Sequence, residues 1–215
     1  MNKISRTILN SSGSFNEKQI ATIETAFARA ERTVSTLLKH TPNADVVFYD
    51  NPQETNDKVG VGGQTMNEHT VFIPLDSSFP FTEDEIFVTI CHELHHCARL
   101  HAIGRTDTLL DSVVIEGMGE QFEKEVLPSR TLITYNESLT KKQIAESLAE
   151  LKKVIKSGKY NYGEWFLGEG IYPKWYGYSL GNFIVEQYGK EHGMKPSEMT
   201  QTPTEDFEDF IRNMK

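Results

Sequence analysis

Apolar residues recur at helical spacing from Asn16 to His40, where Ile20, Ile23, Phe27, Ala30, Val34, Leu37 and Leu38 share one stripe. Thr41-Pro42-Asn43 ends that helix, because proline cannot continue it. Ala44 to Tyr49 then reads as a strand. Two further runs, Val59 to Thr65 and Thr70 to Leu75, flank the polar turn Met66-Asn67-Glu68-His69 and predict a hairpin. Gly60, Gly62 and Gly63 in the first run suit an edge strand that another backbone approaches closely.

Thr82-Glu83-Asp84-Glu85 is a capping box, and it predicts an apolar helix from Ile86 to Ile103 that stops at Gly104. Phe87, Ile90, Cys91, Leu94, Cys97 and Ala98 leave that helix apolar almost all round, so it belongs at the centre of the fold. Thr106-Asp107 caps a second helix that runs to about Leu127. A third covers Thr140 to Ile155, with Lys152, Lys153 and Lys156 on a solvated face. A Gly/aromatic stretch from Tyr160 to Tyr178 leads into a helix from about Ser179 to Tyr188, and a short acidic helix from Thr204 follows. The pattern predicts an α+β fold in one domain. Residues 1–105 hold the N-terminal helix, a small mixed or antiparallel sheet and the central helix; residues 106–215 form a helical lobe.

The central helix carries the chemistry. His92-Glu93-Leu94-His95-His96 fits H-E-x-x-H. Residues four apart on a helix differ by about 40° in rotation, so both outer imidazoles leave one face and can converge on one Zn²⁺. Glu93 points about 100° away, where it can serve as a base toward water. His95 reads as a packed histidine and His101 as a surface one, while Arg99 lies near the ligand face and suits an acidic partner. Cys91 and Cys97 stand about 9 Å apart along the axis, too far for a disulfide, and read as reduced core residues.

A catalytic zinc takes three protein ligands. Glu116, with nineteen residues between it and His96, is the best third candidate, because an antiparallel return of the next helix can bring it back. Gly117 and Gly119 each cost about 1 kcal/mol in a helix interior, which close helix packing would explain. Glu120 shares the face of Glu116 and suits a partner to a ligand imidazole. Trp175 to Gly181 is the natural source of an oxyanion donor, Tyr178 ahead of Tyr176, with His192 a distant third. Gly177 and Gly181 would let that backbone approach the cleft.

HELHH followed by Ile115-Glu116-Gly117-Met118-Gly119-Glu120-Gln121-Phe122-Glu123 resembles the gluzincin branch of zinc metallopeptidases, with one residue more between the motifs than in its aminopeptidase members. More closely, the chain resembles a bacterial family of zinc-dependent proteases known as a domain of unknown function. The stretches that carry the resemblance are Val59–Thr65, His92–His96, Glu116–Phe122 and Trp175–Gly181. It implies a zincin-like fold, one Zn²⁺ per chain held by His92, His96 and Glu116, Glu93 as general base, and a peptide or protein substrate. Gly62, Gly63 and Gln64 would pair with an extended substrate by strand addition.

Two other readings keep the metal. One is another amide hydrolase such as a deformylase, disfavoured because Cys91 faces the wrong way. The other is a zinc-binding interaction module without turnover. A net charge of −9 and a pI near 5.3 argue against nucleic-acid or anionic-membrane partners. Met1 to Arg6 has no apolar leader, so the expectation is a soluble cytoplasmic protein.

Overall fold

The computed structural model describes residues 3–104, 107–129, 139–155 and 157–214. Met1, Asn2, Thr106 and Lys156, which the sequence reading used, lie outside them. The chain divides into two compact units, Met1–Ala102 and Ile103–Lys215.

The first unit is a four-stranded mixed sheet with two long helices. Its strands are β1 (Ile4–Leu9), β2 (Ala44–Asp50), β3 (Gln64–Asn67) and β4 (Thr70–Leu75), in the order β1-β2-β4-β3. β2 is parallel to β1 and to β4, and β3 is antiparallel to β4. Alternation sets the core face. Ala44, Val46 and Phe48 of β2 and Val71, Ile73 and Leu75 of β4 are buried, and Val46 stands beside Val71 as Phe48 does beside Ile73.

Helix α1 (Glu17–Leu37) lays Phe27 edge-on to Phe48, with ring centroids 6.5 Å apart. Asn16 and Gln19 form its capping box. It stops at Leu37 rather than His40. Arg29 of α1 sits 3.9 Å over the ring of Phe87 and pairs with Asp84 at 2.6 Å, which ties α1 to α2 (Glu83–Ile103).

Two elements differ from the sequence pattern. β1 was not foreseen, because only Ile4 of its six residues is buried and an edge strand carries little apolar signal. The Gly-rich edge strand is displaced as well. It runs over Gln64–Asn67, with a two-residue turn at Glu68-His69, instead of over Val59–Thr65. Gly60 takes a positive φ of 68°, which interrupts a ladder, and Val61 makes only an isolated bridge to Leu75.

The second unit is helical: α3 (Leu109–Val126), α4 (Lys141–Val154), α5 (Tyr176–His192) and α6 (Thr204–Asn213), with a π-helical turn at Gly163–Leu167 before α5. The cap of α3 is Thr108 with Asp111, not Thr106-Asp107. Its core gathers Leu109, Val113, Val114 and Met118 of α3 with Leu180, Ile184 and Val185 of α5 and Phe207 and Ile211 of α6. α4 is not wholly a surface element, since its Leu151, and Ile155 just past its end, join that core.

Gly117 and Gly181 make the α3–α5 packing possible. A Cβ on Gly117 would strike the backbone of Gly181, and one on Gly181 would strike the Val113 carbonyl. Backbone cannot yield as a flexible side chain can. Gly181→Ala should therefore destabilise the unit by roughly 1–3 kcal/mol, several degrees in Tm. Gly158→Ala, whose Cβ would meet nothing closer than 3.7 Å, should leave Tm within a degree or two. Calorimetry on both variants reads the difference.

Candidate metal centre

Helix α2 begins with the Thr82 hydroxyl accepting from the Glu85 backbone N–H at 3.2 Å. Ten residues on, His92 and His96 leave it one turn apart. Their rings meet edge to face with centroids 4.4 Å apart, and each residue is only 6–7% exposed. Imidazole nitrogens presented from one helix face are the donor type that zinc accepts from histidine. Thiolate chemistry does not compete here. Cys91 and Cys97 are buried and form no disulfide, and burial, reinforced by the charge of Glu93, pushes the Cys97 thiol up to about 12.

Glu93 is 6% exposed and held from two sides. The Thr65 hydroxyl of β3 donates to its Oε2 at 2.6 Å and lies 3.0 Å from its backbone carbonyl. Gly63 lies against the other oxygen, since a Cβ there would sit 2.5 Å from Oε1 and 2.8 Å from Thr89 Cγ2. Gly62 answers a different constraint: its Cβ position is taken by the Glu54 carbonyl and Pro74. Gln64 is exposed and pairs with Phe72. His95 and Arg99 are buried on the same helix, at 0% and 4%, while His101 is exposed.

In the second unit, Glu116 stands half-buried on α3 among tyrosines. The Tyr162 hydroxyl donates to Glu116 Oε1 at 3.3 Å and lies 3.1 Å from the Tyr178 hydroxyl. Burial, then the charge of Glu116, raises the pKa of both phenols, so both stay protonated donors. Tyr178 rests edge-on against Phe166 and Trp175. Tyr176 is elsewhere, stacked on Tyr172 and tilted against Trp165 in the aromatic core. Gly177 gives its side-chain space to the Phe166 ring and Gly181 gives its own to α3, which accounts for both glycines within this unit. His192 stacks on Tyr188 and bonds its carbonyl at 2.9 Å. Glu120 and Glu123 are buried, so this part of α3 is no solvated acidic face, and Glu125 accepts two hydrogen bonds from Ser197.

A family model described as "Predicted Zn-dependent protease (DUF2268)" matches residues 16–209. The chain belongs to that family. Among curated proteins, the Uncharacterized protein YjaZ of Bacillus subtilis (strain 168) is 27% identical over 148 residues, 66% of this chain and 56% of that protein. The chain thus spans about half the length of the curated relative it matches. No solved structure matches it. Zinc and proteolysis are accordingly what the family is described by, and the imidazole pair of α2 fits that metal in ligand type. No helix among the described residues is long and apolar enough to cross a membrane.

The sequence reading missed Tyr162 and Thr65. Nothing separates Tyr162 from the other seven tyrosines without knowledge of the π-helical turn. Thr65 could have been suspected as the hydroxyl that ends a glycine run. Thr65→Val should cost about 1–3 kcal/mol by leaving a buried carboxylate one donor short, and Thr65→Ser distinctly less. Urea midpoints of the two variants check this.

Proposed function

We propose that the chain is a zinc-dependent peptidase of the gluzincin type, with a zincin-like fold over residues 1–215. His92, His96 and Glu116 would hold one zinc ion per chain: two imidazoles and one carboxylate, a donor set typical of catalytic zinc. The observation that carries this reading is the buried His92–His96 pair beside a Glu93 carboxylate held by Thr65. Bound there, zinc would supply Lewis acidity that polarises an amide carbonyl and acidifies water.

Glu93 is the general base. Thr65 engages Oε2, so the proton from the attacking water is carried by Oε1 and passed to the leaving amine. Gly63 keeps that carboxylate close to the strand entering β3. Tyr178, rather than Tyr176, donates to the oxyanion as its hydroxyl turns from Tyr162 toward the substrate. Glu120 orients a ligand imidazole. An extended peptide adds to the sheet along Gly62, Gly63 and Gln64, because β3 is the terminal strand among the described residues. Two buried cysteines that form no disulfide suit a reducing, cytoplasmic setting.

Glu93→Gln should keep zinc at wild-type stoichiometry by elemental analysis, yet lower hydrolysis of fluorescein-labelled casein by about 100-fold or more. Undiminished hydrolysis in that variant rejects the role of Glu93.

A further inference from the structure

We infer that Tyr162 is a positioning residue for Glu116, holding its carboxylate in the orientation in which it would meet a zinc ion; this rests on the proposal that Glu116 is a ligand. The proton directions follow from chemistry. A carboxylate only accepts, so the single phenolic proton of Tyr162 goes to Glu116 Oε1 across 3.3 Å. The oxygen of Tyr162 is then the acceptor toward Tyr178 at 3.1 Å. The result is a directed chain, Tyr178 to Tyr162 to Glu116, that ties down Oε1 and so restricts rotation of the carboxylate.

The chain is anchored by packing. Tyr162 stacks on Phe166 with centroids 4.4 Å apart and planes 13° from parallel. Phe166 is fully buried and seats on Gly177, where any Cβ would strike its ring. Tyr162 immediately precedes the π-helical turn, and Phe166 lies within it. Such turns are uncommon and frequent at functional sites, because the wider turn re-aims side chains. A glutamate on a helix surface otherwise samples several rotamers and loses that freedom when it binds a metal. Tyr162 removes part of that loss in advance, as hydrogen-bond partners of metal ligands commonly do.

The test is zinc affinity of the full chain, measured by competition with a chromophoric chelator, for wild type, Tyr162→Phe, Glu116→Ala and the double variant. Phenylalanine preserves the stack on Phe166, so the apo Tm of Tyr162→Phe should match wild type. Its zinc affinity should fall by about 10-fold or more, and the loss should vanish in the Glu116→Ala background, because the hydroxyl acts through that carboxylate. Tyr162→Phe binding within twofold of wild type, or an equal loss in both backgrounds, overturns the inference alone. Glu116→Ala retaining wild-type affinity overturns the ligand assignment beneath it.

Discussion

Everything in the first unit is arranged around a helix that is buried while carrying charge. Residues 86–99 of α2 include Ile86, Phe87, Val88, Ile90, Cys91, Leu94, Cys97 and Ala98, each at most 1% exposed. The same turns hold His92, Glu93, His95, His96 and Arg99, none more than 7% exposed. Taking polar groups out of water costs several kcal/mol each unless partners compensate. The apolar positions fix the helix in the core, and the polar ones then require specific company. Thr65 of β3, whose hydroxyl donates to Glu93, is such company.

Close approach through glycine recurs in both units. Gly63 brings the strand entry against the Glu93 carboxylate. Gly117 and Gly181 let α3 and α5 touch backbone to backbone, which sets the height and rotation of Glu116 on α3. Gly177 receives the Phe166 ring, and that ring supports Tyr162. A helix-interior glycine such as Gly117, Gly177 or Gly181 gives up about 1 kcal/mol of helix propensity, and in return the neighbour packs where a Cβ would otherwise stand.

The long helices were legible because period and caps agree. The Asn16 stripe, the Thr82 box and the Thr140–Ile155 helix each mark an element found within a few residues of its expected place. The meeting of His92 and His96 was legible because residues four apart leave a helix on one face. β1 was not, since one buried residue in six gives no alternation to read. The start of α5 was also hidden. Trp175 at φ 71° and the glycines on either side of the tyrosines look like loop until packing against Phe166 fixes them as a helix from Tyr176. Tyr162 was invisible for the same reason: its hydrogen-bond partners come from α3 and α5 and not from adjacent sequence.

The central claim is that one zinc ion is shared by His92, His96 and Glu116. Crystals of the protein purified without chelator, with diffraction recorded on both sides of the zinc absorption edge, test it most directly. The account predicts one anomalous peak per chain, about 2.0–2.2 Å from an imidazole nitrogen of each histidine and a carboxylate oxygen of Glu116. A peak coordinated without Glu116, or no zinc peak at the histidine pair in zinc-replete crystals, would contradict it.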